Sequence, residues 1–260
     1  MSCRKWLALI ALAGAFVPAM HAADKDATGF LNLIHKDKDG KEAKYVLFVP
    51  HDYKGDKAYP VILFLHGAGE TGTDGEKQAK VGIGPAIKKN EKTFQFITIM
   101  PQSQNRSWLA DPDDAKWTGF GKTGKANTAD ADRALAILDE VKKNYKVDDK
   151  RIYLSGLSMG GYGTWSMAAK YPDKWAAIVP VCGKGNPEAG KTIKHIPCWA
   201  FHGDADNAVK VDGSRSMIKA MKDAGGSPKY TEYPGVGHNS WDMAYGTAEL
   251  YDWLLQQKLK

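Results

Sequence analysis

One pentapeptide limits the folds open to this chain more than any other feature. Gly156-Leu157-Ser158-Met159-Gly160 follows the apolar run Arg151–Leu154 and leads into Met159–Tyr171, a stretch with helical spacing of apolar residues. A G-x-S-x-G string between a strand and a helix permits a sharp turn, because small residues flank a serine held in strained backbone geometry. A glycine-rich turn with an idle serine would give the same five letters, but it would not require a strand before and a helix after. The context therefore points to Ser158 as a nucleophile.

The rest of the chain repeats that alternation. Phe30–His35 and Ala43–Pro50 are apolar, β-branched runs around the turn-forming Lys38-Asp39-Gly40, and they predict an antiparallel hairpin. Further runs at Tyr59–His66, Phe94–Met100, Ala176–Val181 and Cys198–Phe201 are almost continuously hydrophobic. Strands of that kind are buried on both faces, as in a parallel sheet. Ala131–Tyr145, Gly213–Ala224 and Thr247–Lys258 carry apolar residues at steps of three and four, which predicts amphipathic helices. The expected architecture is α/β: a mostly parallel central sheet with an N-terminal antiparallel hairpin and helices on both faces. No repeat or linker interrupts residues 23–260, which read as one domain.

Residues 1–22 read differently. Arg4 and Lys5 precede an apolar run from Trp6 to Val17, and small residues cluster at Ala19, Ala22 and Ala23. This is the layout of a cleavable signal peptide, and the run is too short to span a bilayer. The expectation is a secreted or periplasmic protein without stable membrane insertion. Losing Arg4 and Lys5 takes the formal net charge from +6 to +4, too small and too scattered to argue for nucleic acid. Three cysteines exclude a disulfide scaffold. Cys182 and Cys198 fall at offset heights on neighbouring strands, roughly 13 Å apart against a limit of about 7 Å, and are expected as buried free thiols.

A serine hydroxyl needs a base, and the base needs an orienting carboxylate. In a parallel sheet with this turn the order along the chain is serine, acid, histidine. His238 lies in the Gly-rich loop Gly235-Val236-Gly237, after the run Tyr230–Tyr233, and is the candidate base. The acid is left open by spacing: Asp204 and Asp206 both follow the strand that ends at His202-Gly203. His202-x-Asp204-x-Asp206 also has the look of a metal motif, but no second histidine cluster supports four-coordinate ligation, so no metal is expected. The oxyanion donors are expected to be the amide of Met159, directly after the serine, and that of Ala68 in the loop His66-Gly67-Ala68-Gly69-Glu70.

With these motifs in hand, the chain resembles the α/β-hydrolase superfamily over essentially its whole mature length. HGAGE, GLSMGGYGTW, HGDADNAV and GVGHNSW look like the secreted bacterial dienelactone-hydrolase and prolyl-oligopeptidase-like branch. That branch includes proteins described as predicted peptidases, phospholipase/carboxylesterases and feruloyl-esterase-like enzymes. The resemblance implies that the second aspartate of HGDxD, Asp206, is the acid beside Ser158 and His238. It implies acyl transfer to water without a cofactor.

A carboxylic ester hydrolase is the first reading and a serine peptidase of the prolyl-oligopeptidase type the alternative. Peptidases of that type commonly add a gating propeller, for which residues 23–260 leave no room. No cap insertion is visible, so an open pocket is expected, shaped by loops such as Gln102–Gly121. Trp108, Trp117 and Trp241 are the candidate substrate-binding residues, since indole faces suit an aromatic acyl group or a sugar ring. The expected substrates are short-chain or aromatic acyl esters, free or linked to plant polysaccharides.

Overall fold

In the strand β3 (Tyr59–Leu65) every residue is buried, and its side chains divide between two cores. Val61, Leu63 and Leu65 join one hydrophobic cluster, while Ile62 and Phe64 join another. Successive side chains of a strand point to opposite faces, so a strand apolar at every position must be covered on both. The protein, described here by a computed structural model for residues 27–119 and 124–260, is built around that requirement. The signal-peptide segment 1–22 lies outside the described residues.

The remaining strands are β1 (Gly29–Lys36), β2 (Glu42–Val49), β4 (Ile97–Pro101), β5 (Val147–Leu157), β6 (Ala177–Val181), β7 (Trp199–Gly203) and β8 (Lys229–Tyr233). They form one eight-stranded sheet in the order β1-β2-β4-β3-β5-β6-β7-β8. The β1–β2 hairpin is antiparallel and joins β4 in antiparallel register, whereas β3 through β8 run parallel. The helices are α1 (Ile83–Lys89), α2 (Ala115–Thr118), α3 (Ala129–Asn144), α4 (Met159–Lys170), α5 (Gly190–Ile193), α6 (Asp212–Asp223), α7 (Trp241–Gly246) and α8 (Ala248–Gln256). Ala131, Ala134, Leu138 and Val141 of α3 pack on one face of the sheet with Trp165 of α4 and Met217 and Met221 of α6. Ile83 and Ile87 of α1, Tyr245 of α7 and Leu250 and Leu254 of α8 cover the other. This is the α/β-hydrolase arrangement expected from the sequence.

Two details differ from expectation. β4 begins at Ile97, not Phe94, because β3 offers partners only to Ile97, Thr98 and Ile99. Phe94 and Phe96 are buried instead in an aromatic group, Phe94 edge-on to Phe48 at 5.8 Å and Phe96 to Tyr153 at 6.0 Å. The short helices α1, α2, α5 and α7 carry no periodic signature long enough to read. The cysteines follow the expected offset: Cys198 bridges Ile178, whereas Cys182 lies four residues beyond that rung, and both are free and buried.

Candidate active site

β5 delivers the chain to Ser158 in the middle of the sheet, and the turn there is enforced by contact. A Cβ on Gly156 would lie 2.4 Å from the carbonyl oxygen of Gly160, and one on Gly160 would lie 1.9 Å from that of Leu65. Neither position admits any larger residue without moving backbone. Between them Ser158 has φ +52° and ψ −117°, a conformation that L-residues adopt only under strain. The turn is tied to β6 by the Ser158 amide, which donates to Val181 O at 3.0 Å and approaches Cys182 Sγ at 3.3 Å.

The serine hydroxyl is thereby aimed at His238, whose Nε2 lies 2.9 Å from Ser158 Oγ. On the other side of the ring, His238 Nδ1 lies 2.7 Å from Asp206 Oδ2. The Asp206 side chain is fully buried, and its Oδ1 accepts the amides of Ala208 at 2.8 Å and Val209 at 2.9 Å. Burial alone would raise the pKa of this carboxyl. The hydrogen bonds from His238, Val209 and Ala208 outweigh it and hold the group below the ordinary carboxylate range. Asp204, the alternative left open by spacing, is exposed and accepts the Gly235 amide at 2.7 Å, away from the histidine.

His202 is a participant that the sequence reading used as a strand marker and weighed only as a metal ligand. Its Nε2–H donates to Val209 O at 2.9 Å and stands 3.2 Å from Asp206 Oδ2, while Nδ1 meets Ser214 Oγ at 2.7 Å. Burial holds its pKa below the ordinary value, so a neutral ring buttresses the carboxylate. The signal available in sequence was its place at the head of HGDAD.

The loop after β3 supplies the opposite wall. His66, fully buried, donates from Nδ1 to Gly67 O at 2.6 Å and accepts the Ser103 amide at Nε2 at 2.9 Å. Its own carbonyl accepts Trp108 Nε1–H at 3.0 Å. Burial pushes the His66 pKa down to about 4, in keeping with a bracing role. Ala68 begins the short turn Ala68–Glu70 and Met159 begins α4, so neither amide has an acceptor within its own helix. Both residues line the same cavity as Ser158.

That cavity has a volume of about 860 Å3 and is walled by Ala68, Trp108, Leu109, Met159, Tyr162 and Val209, with Asn105, Arg106, Lys125 and Asn127 at its polar side. Of the three candidate tryptophans, Trp108 lines it directly. Trp117 stacks on Tyr162 with centroids 6.1 Å apart and planes at 6°, and donates Nε1–H to Asp114 at 2.8 Å. Trp241 meets the His238 ring edge-on at 5.2 Å. Trp117 and Trp241 back residues of the site and are not among the cavity's described lining residues.

Cys182, Asp206 and His238 bring ligand-type atoms within 4.8 Å of one another. The donor set does not fit a metal. Asp206 Oδ2 and His238 Nδ1 are occupied by each other, and burial raises the Cys182 thiol, keeping it protonated.

Residues 39–244 match the model of the Putative esterase family. The bifunctional acetylxylan esterase/xylanase XynS20E of Neocallimastix patriciarum is 30% identical over 140 residues, which is 52% of this chain and 20% of that protein. The Probable feruloyl esterase C of Aspergillus flavus is 24% identical over 231 residues, 85% of this chain and 77% of that one. Among solved structures, a thermostable esterase is 34% identical with a TM-score of 0.76, covering 88% of this chain and 63% of that chain. The chain therefore spans a fifth of the first of these relatives and less than two thirds of the thermostable esterase. With the family match reaching over most of its length and an α/β-hydrolase sheet beneath it, this chain belongs to the esterase family.

Proposed function

We propose that the protein hydrolyses carboxylic esters through Ser158, His238 and Asp206. The observation that carries this reading is the unbroken hydrogen-bonded path from Ser158 Oγ through His238 to Asp206, opening on a cavity large enough for an acyl group and its alcohol. Ser158 Oγ attacks the ester carbonyl carbon as His238 Nε2 takes its proton. Asp206 steadies the imidazolium, and the amides of Ala68 and Met159 receive the oxyanion. Collapse expels the alcohol, which takes the proton back from His238. Water, deprotonated by the same ring, then releases the acid and regenerates the serine. No cofactor enters the scheme.

Short-chain and aromatic acyl esters, including those on plant polysaccharides, are the substrate class. The resemblance to an acetylxylan esterase and a feruloyl esterase and the partly exposed ring of Tyr162 in the cavity wall support it, whereas Trp108 is 1% exposed and packs in the core. Residues 1–22 act as a signal peptide and 23–260 as one hydrolase domain exported from the cytoplasm. In support, Arg4 and Lys5 precede the apolar run Trp6–Val17, and small residues cluster at Ala19, Ala22 and Ala23.

Purified protein assayed on nitrophenyl acetate, a feruloyl ester and a proline nitroanilide tests the reading, together with fluorophosphonate labelling mapped by mass spectrometry. Ester turnover with the label on Ser158 is expected. Turnover of the anilide alone, or label elsewhere, overturns it.

A further inference from the structure

Among the described residues lining the cavity, two are cations and none is an acid. Arg106 and Lys125 are both exposed, and neither has an ion-pair or hydrogen-bond partner among the described residues. Several other cations of the same region do have acid partners. Nearby Lys116 pairs with Asp113 at 3.0 Å, Lys170 with Asp111 at 2.8 Å and Arg133 with Asp130 at 2.6 Å. Those three cations are neutralised by acids, whereas Arg106 and Lys125 have no such partner among the described residues.

Both are also held in place. Arg106 has φ +56°, a left-handed conformation that costs energy for a residue with a Cβ. Asn105 clamps the turn from one side, donating its amide to Asp130 Oδ2 at 2.7 Å and its Nδ2 to Oδ1 at 2.9 Å. Asp130 is itself 1% exposed and further fixed by Ser103 Oγ at 2.6 Å. From the other side Ser107 Oγ donates to Asn127 O at 2.7 Å, which ties the Arg106 turn to the segment carrying Lys125. Ala126 N–H donates to Pro112 O at 2.7 Å and Ala129 N–H to Asn127 Oδ1 at 3.0 Å, securing that segment in turn. The buried Asp130 carboxylate fastens the Arg106 turn and the Ser107–Asn127 bond joins it to the Lys125 segment, so that two turns of the β4–α3 connection each contribute one cation to the cavity of Ser158.

We propose that Arg106 and Lys125 form a carboxylate-recognising subsite, so that the preferred substrates are esters bearing a carboxylate outside the scissile bond. The inference rests on the ester-hydrolase reading and narrows its substrate class. Cations lining a concave wall concentrate and orient anions, and guanidinium suits a carboxylate by its planar fork. The carboxylate can belong to the acyl part, as in a hemiester of a dicarboxylic acid. It can also belong to the alcohol part, as in a uronate of an acidic polysaccharide.

The test is a ratio of kcat/KM values for matched pairs. Nitrophenyl hemiglutarate against nitrophenyl butyrate reads the acyl source. Acetylated xylo-oligosaccharide with a glucuronate branch, against the same without it, reads the alcohol source. Wild type is expected to favour the carboxylated member of one pair by roughly three- to twenty-fold at low salt. The ratio should fall below about two in the double variant Arg106→Gln, Lys125→Gln and in 0.5 M NaCl, as screened charges require. Arg106→Lys on wild-type Lys125 should retain a preference. A ratio near one for both pairs in wild type, or a ratio the double variant leaves unchanged, overturns the proposal. Absence of turnover on all four esters would count against ester chemistry instead. Calorimetric titration of glutarate and of the two de-acetylated oligosaccharides into the protein then decides the subsite: binding of glutarate, or tighter binding of the glucuronate form, lost in the double variant, supports it, and failure of both refutes it.

Discussion

His202 Nε2 stands 3.2 Å from Asp206 Oδ2, the same oxygen that holds His238 Nδ1 at 2.7 Å. The carboxylate is therefore fixed from behind by one imidazole while it orients another. His202→Phe keeps the ring volume and removes the N–H, and is expected to lower kcat by about ten-fold with KM within two-fold. His202→Gln, whose amide can donate from the same place, should recover most of the loss. An effect on KM alone would assign His202 to packing.

Ser158→Ala is expected to lower the rate by about 10⁴–10⁶-fold with the fold intact. Ser158→Gly should be equally inactive but more stable than the alanine variant by about 1 kcal/mol, because glycine adopts φ +52° without strain. Urea melts of the two variants check this directly. Equal midpoints would mean that the turn stores no strain at this residue.

The two aspartates after β7 should behave very differently. Asp206→Asn is expected to cost about 10³–10⁴-fold in kcat through loss of His238 orientation, and Asp204→Asn under about three-fold. Steady-state kinetics on one aryl ester compare them. A crippled Asp204 variant beside an active Asp206 variant would transfer the role of acid.

Stability should fall as the pH drops from about 6.5 to 4. His66 protonates near its ordinary 6.5 when unfolded and only near 4 when folded, so the unfolded state binds the extra proton across that window. The loss amounts to about 3 kcal/mol and is complete below the folded value. Asp206, held below the ordinary carboxylate range, adds its own loss only at still lower pH. Denaturant melts at pH 7 and pH 4 measure the difference, and His66→Gln should reduce it, leaving the part that comes from His202, whose pKa burial also lowers. An unchanged slope in that variant would place the linkage on other groups.

Much of the fold was legible in sequence because burial on both faces writes itself as unbroken apolar runs. β3 and β6 appear almost to the residue, and the hairpin follows from its Lys38-Asp39-Gly40 turn. The elbow was legible because steric contact with Leu65 and Gly160 backbone forces glycine at 156 and 160. The choice between Asp204 and Asp206 was not, since residues two apart share a face only while a strand continues. β7 stops at Gly203, the Asp206 amide donates back to Gly203 O at 3.3 Å, and that turn sends the two carboxylates in different directions. The charged wall of the cavity was hidden for another reason: Arg106 and Lys125 reach one cavity on turns fastened through Asp130 and Asn127, contacts with no local pattern.

Ser158 leaves the sheet from β5, enclosed between β3 and β6, but His238 hangs five residues beyond β8, which among the described residues is paired on one side only. The proposed nucleophile is thus rooted in a strand paired on both sides and its proposed proton acceptor beyond a strand paired on one. Edge strands open at lower free energy than central ones. Gentle warming should therefore disconnect the two before the sheet melts: activity fades ahead of the circular dichroism signal and returns on cooling. In that sense the sheet is also a fuse, and its weak end sits beside the proposed base.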